Sequence, residues 1–245
     1  MGSRQFFLAA LVSVLFYTVS YAQIRYVPSQ YPTIQAAIDA AQDGDEIIVA
    51  DGIYTGPGNR NIDLVERTIV IRSENGPTHC IIDCQVENEV YLFNITGGSP
   101  VIEGFTIKRC SVENAGSAIQ FYDTGCVVRN CIFTENAACL FGSPGAETKV
   151  VNCTFYGNTA HEDSGIVGMI DNIHNGGVFV VRNSIFWSNQ PKEIDYRWHT
   201  CKSGYHPGMH VEFTVLESYW QDDVRLYFNN CTYLYCPISF SFFNS

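Results

Sequence analysis

Basic residues are scarce in this chain: 14 lysines and arginines stand against 25 aspartates and glutamates in 245 residues, a formal net charge of −11. An acidic surface of this kind repels polyanions unless divalent cations or a local basic patch intervene, so no nucleic-acid partner is expected. Long apolar runs are absent after the first 22 residues, which leaves no later stretch able to span a bilayer. Metal-site spacings are missing too. His174, His199, His206 and His210 form no ligand pair, Cys126 and Cys131 are not spaced as zinc ligands, and three residues separate Cys80 from Cys84 where a redox CxxC has two. These spacings identify no cofactor.

What is present begins with an export signature. Arg4 lies in a short n-region, an apolar run extends from Phe6 to Val19, and Ser20 and Ala22 precede a cut ahead of Gln23. The run is shorter than the ~20 apolar residues of a spanning helix. Residues 1–22 are therefore read as a signal peptide and the mature chain as Gln23 to Ser245, a secreted or cell-surface protein and a monomer. All ten cysteines follow the leader, in a compartment that permits disulfides. Cys131 and Cys153 read as buried thiols, since free cysteine is among the most buried residue types. Cys201, Cys231 and Cys236 sit in a different context and are the better disulfide candidates.

One phrase recurs three times: Asn130-Cys131-Ile132-Phe133-Thr134-Glu135-Asn136, Asn152-Cys153-Thr154-Phe155-Tyr156-Gly157-Asn158 and Asn183-Ser184-Ile185-Phe186-Trp187-Ser188-Asn189. The copies start 22 and 31 residues apart, a period that marks stacked units unable to bury a core alone. Val128, Val150 and Val181 lie two residues before each first asparagine. Plain strand alternation would put them on the face opposite Cys131 and Phe133. If each asparagine instead bends in the left-handed region, which asparagine tolerates, both apolar sets point inward. Gly104, in Val101-Ile102-Glu103-Gly104-Phe105-Thr106-Ile107, stands where that asparagine belongs and visits the region freely. Asn130, Asn152 and Asn183 are then expected to stack as a hydrogen-bonded ladder, and Phe133, Phe155 and Phe186 as an apolar one. Asn136, Asn158 and Asn189 mark the next corner.

Upstream, Ile34, Ala37, Ile38 and Ala41 form one helical stripe, with Thr33 as its cap and Gly44 as its stop. Glu46 to Tyr54 reads as a strand with a turn, and Thr68 to Arg72 as another strand. A short amphipathic helix ahead of many short strands is what the open end of a solenoid requires. Beyond Glu193 the repeat fades into an aromatic-rich segment, in which Val211 to Leu216 and Val224 to Phe228 can still be strands.

These features resemble the right-handed parallel β-helix of the pectin-lyase-like group. Tyr31 to Tyr54 also resembles the N-terminal cap of exported bacterial β-helix repeat proteins. The Phe-x-x-Asn repeats, with Gly176-Gly177-Val178, are similar to those of chlamydial polymorphic outer-membrane proteins. The likeness spans about residues 26 to 195. It implies an all-β right-handed parallel β-helix solenoid with a short N-terminal capping α-helix: residues 23–195 form the repeat domain with its cap, and 196–245 a final coil or C-terminal cap.

The catalytic motifs of the resembling group are mostly missing. The region matching the Gln-Asp-Thr turn of pectin methylesterases is Phe133-Thr134-Glu135-Asn136-Ala137-Ala138-Cys139, without the catalytic aspartate. Gln221-Asp222-Asp223 matches the middle of the polygalacturonase pattern but none of its flanks. Pectate lyases need a calcium-holding acidic cluster and an arginine base, whereas Arg109, Asp123, Arg129 and Arg182 are scattered. His161, Glu162 and Asp163 remain as weak acid, base or cation-binding candidates. Asp39, Asp43, Asp45 and Glu46 invite the idea of a calcium site. Three sequons stand at Asn94, Asn152 and Asn230, and the second is expected to be blocked by its place in the ladder.

The sequence thus favours an exported, adhesin-like module contacting polysaccharide. A polysaccharide lyase or hydrolase is the alternative, and a structural stalk or fragment of a larger surface protein a third reading. An enzyme would gather charged residues on one exposed strip, a binder would expose aromatics there, and a stalk would do neither.

Overall fold

The computed structural model describes residues 21–85, 91–111, 118–160, 165–170, 178–190, 192–197, 209–212, 215–216, 226–229 and 232–233. Short strands wind through three faces, and every pairing between coils is parallel. The first face is a nine-stranded sheet: Ile24–Val27, Glu46–Val49, Val70–Ser73, Val101–Glu103, Val127–Arg129, Thr148–Val151, Phe179–Arg182, Met209–Glu212 and Leu226–Asn229. The second has eight strands: Gly52–Tyr54, Cys80–Asp83, Thr106–Lys108, Ile132–Thr134, Thr154–Tyr156, Ile185–Trp187, Val215–Leu216 and Thr232–Tyr233. The third has six: Ile62–Val65, Phe93–Thr96, Ile119–Thr124, Leu140–Pro144, Gly165–Ile170 and Lys192–Arg197. This is an all-β helix of coils. The strands beyond residue 195 continue the first two faces.

Each face sends side chains inward in register. Ile47, Ile71, Ile102, Val128, Val150 and Val181 are in register on the first face and fully buried. Ile82, Ile107, Phe133, Phe155 and Phe186 do the same on the second. Phe133 and Phe155 stack at 4.9 Å between ring centroids and Phe155 and Phe186 at 4.4 Å. Two inward rows can be consecutive because the chain turns between them in the left-handed region, with φ of 55° at Asn130, 55° at Asn152, 50° at Asn183 and 76° at Gly104. That bend resets the strand parity.

Asparagines line both edges of the second face. On the outer edge, Asn152 Nδ2 donates to Asn130 Oδ1 at 3.2 Å and Asn183 Nδ2 to Asn152 Oδ1 at 2.6 Å. On the other edge, Asn136, Asn158 and Asn189 are buried. There the Asn158 carboxamide accepts from the Asn136 N–H at 3.0 Å and side chain at 3.1 Å, while Nδ2 donates to the Phe133 carbonyl at 3.0 Å and to Asn189 Oδ1 at 3.0 Å.

The helix Ile34–Asp39 covers the first coil. Thr33 Oγ1 accepts from the Ala36 N–H at 3.2 Å and Asn59 Oδ1 from the Ile34 N–H at 3.1 Å, which satisfies two otherwise orphaned donors. Ile34, Ala37 and Ile38 enter the core. The helix stops earlier than the position of Gly44 implies, at an Ala40 cap in right-handed geometry. Gly44, at φ 87°, serves the turn into the next strand, where its N–H reaches the Thr68 carbonyl at 2.8 Å. The strand read at Thr68 to Arg72 is Val70–Ser73.

The described residues hold a disulfide at a pair that linear spacing did not single out. Cys84 and Cys110, 26 residues apart, are bonded across adjacent coils with Cα atoms 4.8 Å apart. Coil stacking brings them together, a proximity invisible in linear spacing. Cys201, Cys231 and Cys236 fall outside the described residues. Cys80, Cys126, Cys131, Cys139 and Cys153 are buried free thiols. Cys131 Sγ donates to the Arg129 carbonyl at 3.3 Å and Cys153 Sγ to that of Val151 at 3.4 Å. Burial pushes the Cys126 and Cys80 thiols up to about 12, which holds them protonated and unreactive.

Candidate functional site

The outward side of the second face is built by alternation around the inward phenylalanines. The residue before each points out, as does the residue after. The first of these rows runs Ile53, Ile81, Thr106, Ile132, Thr154, Ile185 in register, so every position is β-branched. Such residues suit a pleated surface and are restricted at χ1, giving a flat strip. The second row runs Asp83, Lys108, Thr134, Tyr156, Trp187. Tyr156 is 54% exposed and Trp187 40%, on neighbouring coils, and Ile185 beside them is 46% exposed. Of the exposed large hydrophobic side chains among the described residues, these three gather on two neighbouring coils.

The other end of the second row is charged and closed. Asp83 is buried; Arg109 Nε donates to its Oδ1 at 2.9 Å and Arg109 Nη2 to its Oδ2, while Lys108 Nζ lies 3.6 Å away. Burial works to raise this carboxyl, but the Arg109 hydrogen bond, the Gln85 N–H and the two cations together hold it below its ordinary value. Asp83 thus stays ionised and locked. It is a corner fastener beside the disulfide, unsuited to donating a proton.

The first face carries a shallow depression of about 760 Å³, lined by Glu46, Arg72, Glu103 and Arg129 together with Gln23 and Val70. Its acids are already engaged. Arg129 donates to Glu103 Oε2 at 2.9 and 2.7 Å, Asn130 to Glu103 Oε1 at 3.0 Å, and Arg72 Nε to Glu46. Two carboxylates each fixed by a guanidinium do not make an acid and base pair.

The calcium idea around the capping helix fails for a similar reason. Asp39 accepts from Gln35 at 2.8 Å, Asp43 from the Thr68 N–H at 2.9 Å, Asp45 pairs with Arg25 at 2.9 Å, and Glu46 pairs with Arg72. Each acid serves a different partner, and among the described residues no group of three acids, histidines or cysteines is placed to hold a metal. His161, Glu162 and Asp163 lie outside the described residues, in the connection between Thr154–Tyr156 and Gly165–Ile170. Gln221-Asp222-Asp223, His174, His199 and His206 are outside them as well, and His210 belongs to the strand Met209–Glu212. Asn152 is exposed, so burial does not block its sequon; its side chain is committed at both ends, to Asn130 and Asn183. Asn94 donates to Asp63 at 3.1 Å. Among the described residues no helix is long and apolar enough to cross a membrane.

Tyr156 and Trp187 were missed in the sequence, although the signal was there. In each copy of the repeat phrase the inward phenylalanine is followed by Thr134, Tyr156 or Trp187, which strand alternation turns outward.

No protein family's sequence profile matches the chain, and no curated protein sequence is significantly similar. Solved structures do match. A pectin methylesterase in complex with a hexasaccharide superposes with a TM-score of 0.56 at 12% identity, over 91% of this chain and 92% of that one. The chain has the pectin-lyase-like right-handed parallel β-helix fold. Pectin methylesterase PemA from Erwinia chrysanthemi gives 0.56 at 10% identity, covering 90% and 91%. The catalytic domain of a GH87 α-1,3-glucanase in complex with tetrasaccharides gives 0.56 at 15% identity, covering 85% of this chain and 39% of that one. At such identities the likeness is one of fold. These neighbours are carbohydrate-active enzymes, and the pectin-lyase-like scaffold serves several different chemistries.

Proposed function

We propose that the protein is an exported β-helix module that binds a polysaccharide along its second face without cleaving it. The observation that carries this reading is the in-register pair Tyr156 and Trp187, exposed beside a flat β-branched strip. Aromatic faces pack on the apolar face of a sugar ring, while the neighbouring threonine hydroxyls of Thr134 and Thr154 are placed to hydrogen-bond ring substituents. Coil repetition gives an extended ligand a matching repeated surface. Structural neighbours described with bound hexasaccharide and tetrasaccharides support the ligand class.

Two measurements on the same panel of polysaccharides, pectate and alginate included, with and without calcium, test this function. Retardation in polysaccharide-containing native gels is expected for at least one member, with no release of new reducing ends from it. Release of reducing ends would make the protein a lyase or hydrolase and direct attention to His161, Glu162 and Asp163. Silence in both assays would leave the structural stalk.

A further inference from the structure

A buried carboxylate in the first coil has no part in the glycan reading. Asp45 is almost fully buried, yet its two oxygens receive the Gln23 N–H at 2.7 Å, the Gln42 N–H at 2.7 Å and Arg25 Nη2 at 2.9 Å. Arg25 is buried too and ties the same point to the Ala40 carbonyl at 2.6 Å and to Gln23 Oε1 at 3.1 Å. Gln23 immediately precedes the strand Ile24–Val27, which is the terminal strand of the first face. Tyr21 and Ala22, on its other side, are exposed. The main-chain nitrogen of Gln23 therefore stands at the boundary between an exposed leader end and the folded coil, in contact with a buried anion.

We propose that this nitrogen is the processed amino terminus of the exported chain, and that Asp45 is the receptor built for it. Hydrolysis by a leader peptidase breaks the Ala22–Gln23 C–N bond. Water gives its hydroxyl to the Ala22 carbonyl carbon and a proton to the nitrogen, and the amine takes a further proton from solvent. One proton of the resulting ammonium stays on the line to Asp45 Oδ1, and the new positive charge lies against a carboxylate that water cannot screen. Arg25 occupies the other oxygen, Oδ2, so the two cations do not compete for one lone pair. Gln23 also borders the depression on the first face, whose charged groups are paired, Glu46 with Arg72 and Glu103 with Arg129, and Asp43, two residues before Asp45, is bound to the Thr68 N–H. Removal of the leader thus fastens the edge strand that the capping helix closes over.

The test begins with the full chain exported from a bacterial host by its own leader, its first residue read by N-terminal sequencing and intact mass. The secreted protein is expected to start at an uncyclised Gln23. Its melting is then compared with that of the same protein carrying Met-Ala ahead of Gln23. An α-amine titrates near 7.7–8.0 when unfolded, and a carboxylate partner raises it in the fold, so the added stability is present below that range and is lost as pH rises through the raised value. The Gln23-start protein should melt about 2–4 °C higher at pH 7, with the difference gone by about pH 10 and absent in Asp45→Asn. The pH profile of the two unmutated forms suffices if that variant does not fold. A different first residue, a cyclised Gln23, or equal melting at pH 7 would overturn the proposal.

Discussion

The two asparagine ladders flanking the second face share a residue type and little else. At the outer edge, Asn130, Asn152 and Asn183 are exposed, adopt left-handed geometry and make one side-chain bond per step. At the inner edge, Asn136, Asn158 and Asn189 are buried, and each carboxamide serves backbone groups of a neighbouring coil. The outer position asks for a backbone conformation, which Gly104 supplies equally well. The inner position asks for a particular set of donors and acceptors. Identical letters in a repeat can therefore answer different physical demands.

Asn158→Ala should break this comparison most sharply. It strands the Phe133 carbonyl and the Asn136 N–H in the core, at about 1–3 kcal/mol for each unsatisfied group, while Asn189 Oδ1 keeps the backbone N–H of residue 158, and chemical denaturation should read a loss of about 4 kcal/mol. The disulfide comes next. The inner ladder ends where Asn136 Oδ1 accepts the Cys110 N–H at 3.0 Å, and Cys84–Cys110 secures the corner beyond it. Cys84→Ser with Cys110→Ser should cost about 3 kcal/mol by the loop-closure argument, seen as a lower melting temperature that reductant reproduces in the wild type. A loss under 1 kcal/mol would mean that the inner ladder alone holds the corner.

The outer edge should be far more forgiving. Asn152→Ala gives up two exposed hydrogen bonds and the short polar side chain that lets asparagine tolerate positive φ, about 1–2 kcal/mol, whereas Asn152→Gly should stay within about 0.5 kcal/mol of wild type. A glycine variant as damaged as the alanine one would show that the side-chain ladder, and not the bend, matters there. Smallest is the acid response of the Asp83 corner, because Arg109 is 40% exposed on its side chain and solvent screens the pair. The Asp83 carboxyl sits below its ordinary 3.8 in the fold. Its contribution is present above that value and lost as pH falls through the lowered one. Asp83→Asn should accordingly flatten the acid limb of a melting-temperature profile without moving the neutral plateau upward.

The solenoid was legible because its constraints are periodic. The spacing of Val128, Asn130 and Phe133 repeats at Val150, Asn152 and Phe155, and a left-handed bend at the asparagine turns both apolar sets inward. Cys84–Cys110 was not legible, since it depends on a coil of 26 residues whose copies carry no repeat phrase. Asp45 illustrates the same limit: as one of four nearby acids it suggests a cation, and only the fold reveals that Arg25 and the Gln23 nitrogen already occupy its oxygens. The exposed pair Tyr156 and Trp187 lay in plain sight within the repeat, but its meaning needed knowledge of which strands are neighbours.

The central claim is that glycan contact is confined to the second face, and calorimetric titration with the best-retained polysaccharide tests it most directly. Tyr156→Ala and Trp187→Ala are each expected to weaken binding at least tenfold, about 1.4 kcal/mol. Tyr122→Ala, which removes an aromatic side chain of similar exposure (45%) from the third face, should leave affinity unchanged. Equal loss in all three variants, or none in Tyr156→Ala and Trp187→Ala, would contradict the account.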